Sequence, residues 1–218
     1  MDPAAADVTM KRLPVAREGW PFIAAPAALA LGLFASGRRR LALPFVAATL
    51  ASLGFFRDPE RAVPATDGAV LSPADGRVTA VVDDADEWVG PAVRVSIFLS
   101  PLDVHVNRAP IAGRVADTRY TPGRFVAAFA PDAGVVNERC AVHLEGDQAR
   151  VTVIQIAGAV ARRIVCRVAR GHKLEAGERF GMIRFGSRTD CLMPRSTDVR
   201  VRVGDRVRGG ETVLGVLA

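Results

Sequence analysis

Two apolar runs open this chain, and alternation takes over after them. Trp20 to Ser36 and Leu41 to Phe56 carry no charged side chain, and Gly37-Arg38-Arg39-Arg40 separates them. As helices rising about 1.5 Å per residue, each covers roughly 25 Å, slightly less than the ~30 Å hydrocarbon core of a bilayer. Pro21, Pro26 and Pro44 fall inside the runs and argue against regular helices. The pattern fits two short spans forming a hairpin, or an interfacial pair whose arginines reach the headgroups. A cleaved signal peptide fits less well, because an arginine triplet and a second apolar run follow the first. Basic residues flank both runs, from Lys11, Arg12 and Arg17 to Arg57 and Arg61, so charge sets no orientation.

Arg57-Asp58-Pro59-Glu60-Arg61 through Gly68 is rich in proline and charge and reads as a joint. The expected organisation is a membrane-associating region over 1–56, a linker over 57–70 and a β-rich domain over 71–218. Within that domain, period-two runs predict strands at Arg77 to Val82, Val93 to Leu99, Gly113 to Tyr120, Arg150 to Ile156, Arg163 to Val168, Val199 to Val203 and Val213 to Leu217. Gly123 to Ala130 suits a short helix. An internal echo runs through the domain. Val168-x-x-Gly171-x-Lys173-Leu174-x-x-Gly177-Glu178 returns as Val201-x-x-Gly204-x-Arg206-Val207-x-x-Gly210-Glu211, and Pro73 to Val78 returns as Pro110 to Val115. Such hairpin units, each too small to bury a core alone, predict a mainly β barrel-sandwich hybrid of the biotinyl/lipoyl type.

Composition narrows the partners. With two lysines, Lys11 and Lys173, in a chain of formal charge +6, the basic balance is carried by arginine. That suits an anionic membrane surface or nucleic acid, but aromatics are few and no RNA-binding or zinc-finger spacing appears, so nucleic acid is not expected. The three cysteines, Cys140, Cys166 and Cys191, are far apart with no C-x-x-C, as in a reducing compartment. The three histidines form no metal-binding spacing, and no metal is expected.

The remaining stretch is Arg179-Phe180-Gly181-Met182-Ile183-Arg184-Phe185-Gly186-Ser187-Arg188, an alternating strand that runs into a Gly-Ser break. Alone, Gly-Ser is a turn. Its neighbourhood is more specific. Phe55 to Arg61, Ser72 to Arg77, Phe98 to Arg108, Val135 to Arg139, Gln155 to Val165 and Phe180 to Ser187, in that order, resemble the short bacterial and archaeal branch of the phosphatidylserine decarboxylases. The resemblance implies a zymogen that cuts itself between Gly186 and Ser187. Ser187 Oγ attacks the Gly186 carbonyl to give an ester, loss of the Ser187 Cα proton eliminates the Gly186 carboxylate, and loss of ammonia leaves a pyruvoyl group. A β chain (1–186) and an α chain (187–218) result, paired as a heterodimer, with room for a higher oligomer. It also implies decarboxylation of phosphatidylserine to phosphatidylethanolamine at the cytoplasmic face of the cell membrane. The pyruvoyl cofactor, joined to the substrate amine as a Schiff base, would be the electron sink that such chemistry needs.

By the same resemblance, Asp75 and His105 assist processing or proton transfer. Read from residue type alone, Asp75 is an Asx-turn residue, and Asp103, His105 and Asn107 form one polar face of a strand. The longer branch has a second histidine three residues after the first, linked to self-processing. Here Arg108 stands in that place and cannot act as an ordinary base. His105 is the first alternative, with His143 and His172 behind it as a strand and a turn residue. Arg108, Arg162 and Arg163 could grip a lipid phosphate or serve as solvated surface charge. Two other functions use these residue types: a membrane-tethered lipoyl-like carrier built on Lys173, and a Ser-His-Asp hydrolase. Lys173 has Arg206 as its mate in the echo, and the chain lacks a G-x-S-x-G elbow.

Overall fold

The computed structural model describes residues 14–127, 132–159, 163–184 and 187–217. The chain divides into two compact units, Met1–Glu60 and Arg61–Ala218. In the first, α1 (Trp20–Ala35) and α2 (Arg39–Phe55) pack together as a hairpin. Contrary to the expectation from proline, the helices run through Pro26 and Pro44. Each proline forfeits one backbone hydrogen bond, and packing of one helix on the other outweighs that local cost. The turn between them closes as a Schellman motif. Gly37 takes a φ of 75°, Arg38 N–H donates to the Leu33 carbonyl at 2.8 Å, and Gly37 N–H donates to Phe34 at 3.0 Å. At the other end Ala16 N–H donates to the Phe56 carbonyl and Asp58 N–H to that of Pro14, both at 2.8 Å. Phe56 is buried there, stacked on Phe22, against a Gly19 that has no room for a side chain.

Leu29, Leu31, Leu41, Leu43 and Leu50 stand exposed on this hairpin. The helical segment Arg17–Ala35 is long and apolar enough to cross a membrane.

The second unit is mainly β. Its strands are β1 (Ala69–Leu71), β2 (Gly76–Asp86), β3 (Gly90–Leu99), β4 (Val106–Arg108), β5 (Gly113–Thr121), β6 (Arg139–Glu145) and β7 (Arg150–Ala157), followed by β8 (Ile164–Cys166), β9 (Lys173–Leu174), β10 (Arg179–Ile183), β11 (Ser187–Pro194), β12 (Asp198–Val199), β13 (Arg206–Val207) and β14 (Val213–Val216). Among the described residues they form three antiparallel sheets: an eight-stranded sheet ordered β13-β2-β3-β11-β7-β6-β5-β9, and two three-stranded ones, β4-β10-β8 and β1-β14-β12. The inward side chains of β3, β6, β7 and β11, among them Val95, Ile97, Leu99, Val142, Leu144, Val151, Val153, Cys191 and Met193, join Phe180 and Leu214 in one apolar core. The short helix α3 lies at Ala133–Val136, whereas Gly123 to Ala127 is non-helical and 128–130 lies outside the described residues. Two hydrogen bonds between Arg124 and the 136–138 backbone hold that stretch extended.

The internal echo is a repeated pairing. Gly76 and Arg77 of β2 pair with Val207 and Arg206, and Gly113 and Arg114 of β5 pair with Leu174 and Lys173. Val78 exchanges backbone hydrogen bonds with Gly204 and Asp205 as Val115 does with Gly171 and His172. Lys173 thus occupies the same ladder position as Arg206, which leaves it no special station as a carrier lysine.

Strand β10 is held on one side by β8, with Gly181 opposite Cys166. A Cβ on Gly181 would overlap the Val165 carbonyl oxygen and come within 2.9 Å of Gln155 Nε2. Backbone cannot yield there as a flexible side chain can, so Gly181→Ala is expected to lower stability by about 1–3 kcal/mol in urea unfolding. An unchanged unfolding midpoint would contradict this packing.

Candidate active site

Strands β10 and β11 are neighbours in sequence but belong to different sheets. The crossing falls at residues 184–186. Phe185 and Gly186 lie outside the described residues, so the expected scissile carbonyl does too. Ser187 is described. It opens the interior strand β11 and pairs with Leu99 of β3 on one side and Ala157 of β7 on the other. Alternation places it on the inward face with Thr189, Cys191 and Met193. It is completely buried, and its Oγ has no hydrogen-bond partner. Leaving a buried hydroxyl unmet costs about 1–3 kcal/mol, so such a group asks for a functional reason.

The outer face fixes the same strand. Arg188 grips Asp190 through two hydrogen bonds of 2.6 and 2.7 Å and reaches Ser96 Oγ at 3.1 Å. Gly134 of α3 leaves room for that guanidinium. Asn137, just after α3, donates to the Ala157 carbonyl at 2.7 Å and exchanges two hydrogen bonds with Val126. The Val135 to Arg139 motif therefore ties the stretch around Val126 to β7, the partner strand of Ser187.

His105 is buried at the entrance to β4. Its Nδ1–H donates to the Asp103 carbonyl at 2.9 Å, and its own carbonyl accepts the Ile183 N–H at 3.2 Å, four residues before Ser187. A carbonyl can only accept, so the proton of a neutral ring sits on Nδ1 and the lone pair on Nε2. Asp103 is itself a turn residue, accepting from Ser100 N–H and Oγ. The polar face read from alternation is therefore not solvated, since His105 and Asn107 are both buried.

Asn107 begins a chain of amides whose direction is forced. The Pro73 carbonyl accepts from Asn107 Nδ2 at 3.3 Å, which also donates to Thr189 Oγ1 at 3.0 Å. Asn107 Oδ1 must then face Gln155, which presents Nε2 at 2.8 Å. Gln155 Oε1 is left buried without a partner, one diagonal step across the ladder from Ser187.

Asp75 lies in the turn before β2. Gly209 N–H donates to its Oδ1 at 2.8 Å and Arg61 to its Oδ2 at 2.7 Å, while Arg61 also holds Glu211. Burial pushes the Asp75 carboxyl up from 3.8. Gly209 and Arg61 pull it down, and nearby Asp103, two residues from His105, adds a smaller upward push.

Arg108 is buried, donates to the Gly177 carbonyl at 3.0 Å and packs on Gly210. Arg163 is exposed, and Arg162 lies outside the described residues. His143 donates to Thr152 Oγ1 at 3.0 Å, and Thr152 donates to Asp86. Thr152 precedes Ala157 by five residues on β7, so His143 is displaced from Ser187 by roughly 17 Å along the strands, at about 3.4 Å per residue, and lies two strands away. His172 is an exposed turn residue whose Nδ1 accepts the Ala169 N–H at 3.4 Å. Asn107, Gln155 and Thr189 thus form a hydrogen-bonded chain beside Ser187 on the ladder, His105 is tied by its backbone to Ile183, and His143 and His172 bond elsewhere. After Arg150 at its start, Gln155 is the one long polar side chain in the otherwise apolar strand β7, a signal that could have singled it out.

A strand-rich domain with a buried serine opening an interior strand just after a glycine defines the class, and comparison with known proteins gives the family. Residues 49–215 match the family model for phosphatidylserine decarboxylase. The chain is 51% identical over 214 residues to a phosphatidylserine decarboxylase proenzyme of Symbiobacterium thermophilum, covering 95% of this chain and 98% of that protein. Against the proenzyme of that name from Nitrosomonas europaea the identity is 48% over 202 residues, covering 92% and 94%. For the one from Desulfotalea psychrophila it is 45% over 207 residues, covering 94% and 97%. This chain belongs to the phosphatidylserine decarboxylase family.

Because the folded Asp75 carboxyl binds its proton more tightly than the unfolded one, its contribution to stability is full below 3.8 and is lost as pH rises through the folded midpoint. Carboxyl-carbon NMR on the uncut Ser187→Ala chain should place that midpoint above 3.8, and Arg61→Ala should move it further up. A midpoint below 3.8, or a downward move in the variant, would contradict the assigned environment.

Proposed function

We propose that this chain decarboxylates phosphatidylserine to phosphatidylethanolamine and carbon dioxide, as a zymogen that first cuts itself between Gly186 and Ser187. The observation that carries this reading is Ser187 itself, buried, held on both sides by strand pairing and left with an unmet hydroxyl. It stands in a chain whose relatives are named phosphatidylserine decarboxylase proenzymes.

The surroundings of Ser187 suit a pyruvoyl group at that position. Two unmet polar atoms, Ser187 Oγ and Gln155 Oε1, sit on one inward face, walled by Leu99 and Ala157 and screened from water. A ketone conjugated to its own amide would supply the sink for the electron pair left when carbon dioxide departs. The chain's own residues do the rest. Pairing with β3 and β7 holds position 187 still, and the Asn107–Thr189 hydrogen bond fixes the side chain two residues on. The dry face strips hydration from a bound carboxylate. His105, with its lone pair on Nε2, is the group assigned to take the Ser187 proton during cleavage or to protonate Cα after carbon dioxide leaves. Asp75 supports processing from the turn before β2, tied to Arg61 and Gly209.

For the lipid phosphate, exposed Arg163 is the better placed of the described arginines, since Arg108 is buried on the Gly177 carbonyl. We assign the apolar hairpin, with Arg38, Arg39 and Arg40 at and just after its turn, to an anionic membrane surface on the cytoplasmic side. The mature enzyme is then a pair of chains cut from one precursor.

Ser187→Ala is expected to give a single uncut chain that releases no carbon dioxide from phosphatidylserine. Full activity in that uncut variant would end the proposal. His105→Ala should slow cleavage or turnover by about 100-fold or more, read separately as the cut fraction over time and as carbon dioxide release from the processed enzyme. Normal rates of both would remove His105 from the site.

A further inference from the structure

One face of the β unit carries a feature that the decarboxylation reading does not use. Thr118 and Tyr120 of β5, Cys140 of β6, Ile164 and Cys166 of β8, and Val168 line a cavity of about 300 Å³. Both thiols are free, Cys140 buried and Cys166 half-buried. They arrive from different strands, Cys140 pairing with Gln155 of β7 and Cys166 with Gly181 of β10. The space that Gly181 leaves for want of a side chain is bounded by the Gln155 amide and the Cys166 backbone, so the two strands close on each other there.

The two thiols line one cavity, and their interaction there holds Cys166 down at about 7 and pushes Cys140 up. The third cysteine is a built-in control: Cys191 lies in the apolar core and burial pushes it up to about 12.

We propose that Cys140 and Cys166 form an oxidisable dithiol that closes to a disulfide when a hydroperoxide enters this cavity. The Cys166 thiolate attacks the peroxide oxygen; an S–O bond forms, the O–O bond breaks, and the leaving hydroxide takes a proton to become water. The Cys140 thiol, deprotonating as it attacks, displaces a second water from the sulfenic acid and forms the S–S bond. Two thiols and one peroxide thus give one disulfide and two waters, and a low-molecular-weight thiol reverses the change. A bond here would tie β6 to β8, beside the strand that leads to Ser187.

The test uses the purified full-length protein treated with hydrogen peroxide and read by intact mass and thiol alkylation. The species containing Cys140 and Cys166 should lose about 2 Da and two alkylatable thiols, while Cys191 stays reduced; a thiol reductant should restore both. If the chain is cut after Gly186, Cys191 falls on the other piece. If it is not, peptide mapping separates the three, so the result stands apart from the self-cleavage reading. Cys140→Ser should stop at a sulfenic acid on Cys166, captured by dimedone, and Cys166→Ser should leave Cys140 reduced. Retention of both thiols after peroxide, oxidation of Cys191 first, or dimedone capture on Cys140 in Cys166→Ser would overturn the proposal.

Discussion

Pairing on both sides of Ser187 is the constraint on which the site depends. Strand β11 is interior to the large sheet, so its first residue is already fixed by Leu99 and Ala157. Strand β10 is committed to the small sheet through β4 and β8. The chain between them has three residues in which to change sheets, 184–186, and the Gly-Ser pair ends that interval. A hydroxyl held without a partner in such a place is a cost that packing elsewhere must offset, and β11 is braced on its outer face by the Arg188–Asp190 pair. The inward face supplies a dry, ordered environment, which electrostatic and proton-transfer chemistry needs.

The internal repeat explains how the rest of the domain holds this arrangement. Two equivalent turns, closed at Gly171 and Gly204, bond to equivalent strands through Val115 and Val78. The glycines Gly177 and Gly210 share a φ of 77° and flank the Arg108 side chain. Arg108 stands where the longer branch of the family carries a second histidine. In this chain its guanidinium meets the Gly177 carbonyl, a bond that joins β4 to the turn before β10. That leaves His105, whose carbonyl accepts the Ile183 N–H, as the histidine tied through the backbone to the end of β10.

Much of this was legible in the sequence because it rested on period-two alternation and on turn residues. The strand-rich domain, the echo and the strand running into Gly186-Ser187 were of that kind. Other features depended on contacts distant in sequence. Asn107 reads as an exposed polar position, yet the Pro73 carbonyl and Thr189 bury and satisfy it. Val135 to Arg139 suggested no chemistry, and Asn137 proves to be a clamp on Ala157, twenty residues away. Gly123 to Ala130 has helical composition, but Gly123 packs against the 136–138 backbone and the described part, Gly123 to Ala127, is non-helical, while a helical turn comes later, at α3. In the apolar hairpin, packing of the second helix on the first overrides the local propensity of Pro26 and Pro44, which carries no information about that partner helix.

The central claim is that the peptide bond before Ser187 is exchanged for a reactive carbonyl. Its most direct test is the intact mass of the purified wild-type protein, combined with amine labelling of the smaller fragment. The account predicts two species, with the smaller one beginning at position 187 and carrying no free α-amine. A single unbroken polypeptide that still releases carbon dioxide from phosphatidylserine would contradict it.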